Sequence, residues 1–161
     1  MKIKSWVFGL AMIPVVALAT PQTIKVTDAL AMREAITGIL KGHVVVTPGA
    51  KDAQPVVTVE PFDLATSALL ALSHDKHALT EALAGFDSAK SDILAANGIT
   101  GRTDDTRDSV VKANAQISAE IKKNPTVTVD LEPIKIDDLQ LPKNKFDNDQ
   151  VFGTLGPILT K

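Results

Sequence analysis

The residues best suited to chemistry are two histidines in the phrase "SHDKH", His74 and His77, three positions apart. On a helix that spacing puts two side chains on adjoining parts of one face, so the imidazoles could share a metal ion. A third ligand is needed. Asp75 and Glu81 are the neighbouring donors, but Asp75 points elsewhere than His74 on a helix. The favoured alternative is that both histidines lie on a helix surface beside an apolar seam, and no metal ligand is expected beyond these weak candidates. His43 precedes a β-branched run and has no visible partner. The acidic phrases "TDDTRD" (103–108), "DD" (137–138) and "DND" (147–149) lack the alternating order and distal Glu of a calcium loop. They read as a helix start and surface turns.

Other reaction classes lose their essential groups. There is no Cys, which removes disulfides, thiolate nucleophiles and Cys-ligated metals. No serine stands in a G-x-S-x-G elbow, and neither a phosphate loop nor a dinucleotide fingerprint occurs. Carboxylate pairs for glycoside chemistry usually come with aromatic platforms, whereas aromatics are 4% of this chain and Tyr is absent. The expectation is a protein without catalytic residues or cofactor, hence not an enzyme.

Any such residues would be positioned by helices. With 161 residues, 45% hydrophobic and 22% charged, the chain suits one globular domain. Ala29, Met32, Ile36, Ile39 and Leu40 form a stripe that predicts a first helix over 28–40, capped by Thr27 and stopped by Lys41-Gly42. Two β-branched runs, 43–47 and 56–59, are joined by a turn-rich stretch and predict a hairpin. A long helix over 64–97 follows, with Asp63 as its expected cap. Ala65, Leu72, Leu79, Phe86 and Ile93 take one heptad position; Ala68, Ala82, Ala89 and Ala96 take the other, with Asp75 the exception. Leu69 and Leu83 widen that stripe. A further helix over 105–123 ends before Pro125. The short connector makes the two helices antiparallel, a hairpin over 64–123. Its two roles are a projecting partner site or the core of a packed domain; the wide stripe favours the core.

After it, "TVTVDLEPIKIDDLQLP" alternates as a strand interrupted at Pro133. A short terminal helix, capped by Asp147 or Asp149, is expected to dock through Phe152, Leu155, Ile158 and Leu159. The fold class expected is α+β: an antiparallel helical hairpin, a short N-terminal helix and a small antiparallel β element. One phrase occurs twice, "PVVTVE" from Pro55 and "PTVTVD" from Pro125. The expectation is that these two strands pair with each other and close the base of the helical hairpin.

The N-terminus reads as a secretory signal peptide over 1–19. Lys2 and Lys4 precede an uncharged apolar run, Ser5 to Leu18, and Ala17-Leu18-Ala19 is a cleavage site of A-x-A form. The run is short for a membrane span, which takes about 20 residues. An uncleaved anchor or a buried apolar helix are the alternatives. Residues 20–161 then form the single domain, and membrane contact is through the leader alone. Cleavage removes two lysines and no acid, taking the net charge from −2 to −4. An acidic chain without Tyr is poorly suited to nucleic acid, which asks for basic stripes or stacking platforms.

From about residue 24 onward the order of elements resembles a group of small tailed-phage proteins of unassigned function. The corresponding phrases are "VTDALAMREAITGIL", "HALTEALAGFDSAKSDIL", a second helix, "VTVDLEPIKIDDLQL" and an ending near "LGPIL". The segment "GHVVVTPGAKDAQPVVTV" and the leader depart from that pattern. The resemblance implies a phage-related accessory or virion-associated protein and brings no catalytic residues with it. The functional expectation is a non-enzymatic interaction or structural protein with a protein partner, itself or another chain, exported to the periplasm or secreted after cleavage near Ala19. The alternatives are a periplasmic or secreted protein that binds a small ligand or metal, and residence in the host cytoplasm or virion.

Overall fold

A computed structural model describes residues 19–49, 54–101, 106–140 and 148–160. The chain opens with strand β1 (Thr20–Lys25), which runs directly into helix α1 (Val26–Lys41). Strands β2 (His43–Thr47) and β3 (Val56–Glu60) follow, then the long helix α2 (Thr66–Ala96) and helix α3 (Arg107–Lys123). Strands β4 (Thr126–Leu131) and β5 (Ile134–Lys135) come next. A single helical turn α4 (Ile136–Leu139), helix α5 (Asn148–Leu155), a 3-10 turn (Gly156–Ile158) and strand β6 (Leu159–Thr160) complete it. The class is α+β. β1 pairs antiparallel with β4, β2 antiparallel with β3, and β5 parallel with β6. No helix among the described residues is long and apolar enough to cross a membrane.

The core follows the helical stripes. Ala29, Met32, Ile36 and Ile39 of α1 are buried against Leu72, Leu79 and Leu83 of α2, with Leu131, Ile134, Leu139, Leu155 and Ile158 in the same cluster. Each fully buried Leu or Ile contributes about 1.5–3 kcal/mol relative to exposure. Arg33 of α1 and Asp87 of α2 lock the two helices together through a two-pronged ion pair; Arg33 Nη2 donates to Asp87 Oδ1 at 3.1 Å. α3 returns along α2: Asn97 at the end of α2 donates to Gln116 at 2.7 Å, while Glu120 and Asn124 lie beside Ala82 and Phe86. The two helices are therefore antiparallel.

The strand pairing corrects the sequence expectation. Val56–Glu60 does not pair with Thr126–Leu131. The hairpin of residues 43–47 and 56–60 forms as predicted, and β4 instead takes β1, with Ile24 opposite Val127 and Gln22 opposite Val129. β1 escaped notice because "TPQTIK" carries one apolar residue and no turn separates it from α1. The near-identical phrases also have opposite environments. Val129 and Leu131 are buried on the helices, whereas every residue of β3 is exposed.

Four local details differ as well. Lys25, not Thr27, occupies the cap of α1. Asp63 does not cap α2, since the cap position is Ala65. The start of α2 is satisfied from the far end of the chain: Ala65 N–H donates to the Asp138 carbonyl at 3.0 Å, and Ser67 Oγ donates to Asp138 Oδ2 at 2.9 Å. Leu69 is 44% exposed and does not join the core stripe, whereas Leu83 does. Ile136 opens α4 rather than continuing the strand. The leader through residue 18, the acids Asp104 and Asp105, and the cap candidate Asp147 lie outside the described residues.

Gly42 makes the corner between α1 and β2. Its φ of 89° and ψ of −169° fall in a region open essentially to glycine. A Cβ there would stand 2.1 Å from the Glu60 carbonyl oxygen. The stop signal seen in the sequence thus also sets how closely β3 approaches the corner.

Candidate functional site

α2 and the β4–β5 turn bring three polar side chains together. Asp75 takes a seam position among alanines and leucines and is 0% exposed. Its Oδ1 accepts the backbone N–H of Glu132 at 2.7 Å. That N–H belongs to the residue where β4 has ended and Pro133 prevents the ladder from continuing, so it needs an acceptor from elsewhere. His74 Nδ1 lies 3.3 Å from the same carboxylate oxygen and 3.9 Å from Glu132 Oε1. Asp75 Oδ2 is buried without a hydrogen-bond partner among the described residues. Burial pushes the Asp75 carboxyl up to about 6, against the opposing pull of the Glu132 N–H and His74.

This arrangement positions a turn rather than a substrate. A carboxylate at zero exposure reaches no substrate unless the fold opens. The neighbouring Ser73 hydroxyl donates to the Leu69 carbonyl at 2.7 Å, inside its own helix.

The two candidate histidines separate. His74 turns toward Asp75 and Glu132, while His77 Nε2 lies 3.2 Å from Glu81 Oε1 on an exposed stretch of α2. Among the described residues no group of three His, Asp or Glu side chains is arranged to hold a metal. His43 stacks on Phe62, with ring centroids 5.0 Å apart, and its Nε2 is 4.0 Å from Glu60 Oε2. It anchors the base of the β2–β3 hairpin. Asp138 accepts the hydrogen bonds at the start of α2 described above, and Asp108 lies in the first turn of α3, where the Thr106 hydroxyl accepts the Ser109 N–H at 3.3 Å.

Sequence reasoning missed Glu132 and the Arg33–Asp87 pair. Asp75 did stand out as the one polar residue in an alanine series. The Asp87 carboxyl is lowered from its ordinary value because Arg33 binds its charged form, and Arg33 is raised in turn.

Among the described residues, the β2–β3 hairpin carries the largest group of exposed apolar side chains. Val44 faces Val59 and Val46 faces Val57 across the ladder, so all four valines share one face. They are 62%, 63%, 57% and 62% exposed, respectively. The sheet has two strands, so the outer edge of each carries no ladder partner among the described residues.

Set against protein-family models, curated proteins and solved structures, the chain matches none.

Proposed function

We propose that this chain is an exported, non-enzymatic structural protein that associates with a second copy of itself through the β2–β3 hairpin. The observation that carries the reading is the valine face. Four β-branched apolar side chains on one side of a two-stranded sheet gain from being covered, and isolated two-stranded hairpins are marginal without packing.

The choice of a second copy rests on charge. Val44, Val46, Val57 and Val59 place no charge on the face, so an acidic or basic partner finds no counter-charge there, while the same face meets no repulsion. A two-fold axis would set the four valines of each copy against each other. Four small side chains a side fall short of the roughly 1,200 Å² of a stable interface, so the association is weak and concentration-dependent. Under the resemblance to small tailed-phage proteins, many copies gathered on a virion would raise the local concentration and favour such contacts.

Export is supported by the leader and by β1. Cleavage after Ala19 leaves Thr20 as the first residue and keeps β1 whole. Expression of the full chain in a bacterial host, with intact-mass measurement of the periplasmic fraction, tests this part. A mass lacking residues 1–19 supports it; a full-length cytosolic product contradicts it. The self-association is tested by sedimentation of wild type against a variant with lysines on the valine face.

A further inference from the structure

The start of α1, the middle of α2, the end of α3 and β4 line a cleft of about 310 Å³ at the margin of the core, away from the valine face. Its size falls at the lower end of small-molecule sites. Val26, Ala82, Phe86 and Val127 give it apolar walls, and Glu120 and Asn124 stand along the α3 side. Polar groups gathered on one side of an apolar cleft are the arrangement that orients an amphiphilic ligand.

Gly85 lines the same cleft in the interior of a 31-residue helix. A glycine there costs about 1 kcal/mol relative to alanine. The fold does not demand it, since a Cβ at Gly85 would meet nothing within 4 Å. What the missing side chain does provide is open space in the cleft.

The charge arrangement selects the ligand. Glu120 is the carboxylate of the cleft and is 24% exposed, with Lys123 Nζ 2.9 Å from its Oε2. Lys123 is 71% exposed, so solvent competes for its end of this pair and the contact, three residues apart on one helix, is a weak one. A ligand cation entering from the cleft can take over that carboxylate at little cost, while a ligand anion would be repelled by it.

We infer that this cleft binds a small primary amine with a compact apolar group, the ammonium on Glu120 and the apolar part against Phe86. The site lies on different elements from the valine face, so either can fail without the other.

The test uses n-hexylamine as probe and n-hexanol as its uncharged counterpart, with calorimetry and melting curves on the mature chain. Hexylamine is expected to bind wild type saturably and raise its melting temperature, and to bind at least tenfold more tightly than hexanol. Glu120→Gln should remove that preference, and Gly85→Leu should abolish binding of both while leaving the circular dichroism spectrum unchanged. NMR of wild type gives a reading that needs no variant: shifts on titration should concentrate at Phe86 and Val127. Absence of saturable binding overturns the inference. So do equal affinities for amine and alcohol, undiminished binding to a folded Gly85→Leu, or shifts elsewhere on the molecule.

Discussion

The carboxylate of Asp75 and the backbone N–H of Glu132, 57 residues apart in sequence, meet at 2.7 Å where the β4–β5 turn packs on α2. The bond lets β4 stop at Leu131 without leaving the next backbone donor unpaired, and it fixes the strand turn on the middle of α2. The cost is a buried acid whose second oxygen has no hydrogen-bond partner among the described residues. A half-satisfied buried carboxyl favours its neutral form.

That cost gives a pH dependence with a definite sign. The folded Asp75 carboxyl is raised from 3.8 to about 6, so the fold holds this proton more tightly than the unfolded chain does. Its stabilising contribution is complete below about pH 4 and is lost as pH rises through 6. Asp75→Asn keeps an oxygen for the Glu132 N–H and removes the charge. The variant should match wild type near pH 4 and exceed it at pH 7.5 by on the order of 2 kcal/mol. Urea unfolding of both proteins at the two pH values measures this. His74 and Glu132, which face the same carboxylate, remain in both. A variant less stable than wild type at pH 7.5 would mean that the charged form is the one the fold favours.

Gly42→Ala should damage the fold although it adds one methyl group. The backbone there adopts a glycine conformation, and the new Cβ would collide with the Glu60 carbonyl. A loss of about 3 kcal/mol or more is expected, with amide exchange rising across β2 and β3. A change within about 0.5 kcal/mol would show that the corner is not packed as described.

Ser67 and Asp138 should behave as one unit. Ser67→Ala and Asp138→Ala each remove the same side-chain hydrogen bond at the start of α2. Each is expected to cost about 1 kcal/mol, and the double variant little more than the costlier single one. Strict additivity in a double-mutant cycle would show that the two side chains do not act together.

The helices were legible in the sequence because their signals are local. The α1 stripe, the Lys41-Gly42 stop and the break at Pro125 each lie within a few residues of the feature they specify. Strand partners were not, because pairing depends on which neighbour offers a ladder and a covered face. Val-Thr-Val reads alike in β3 and β4, yet Val59 is exposed and Val129 is buried. β1 carries too little apolar character to announce itself beside α1. The same holds for the polar cluster. Asp75 was conspicuous within its alanine series, but its partner Glu132 belongs to a strand end far along the chain. His74 and His77 had the right spacing to converge, and each found a different acid.

The valine face is the central claim, and sedimentation velocity on the mature chain tests it most directly. Wild type, run over a concentration series up to millimolar, should shift from monomer toward dimer. A variant carrying Val44→Lys and Val57→Lys, with an unchanged circular dichroism spectrum, should remain monomeric throughout, because like charges then meet across the two-fold axis. A wild type that stays monomeric over the whole series, or a lysine variant that dimerises equally well, would contradict the account.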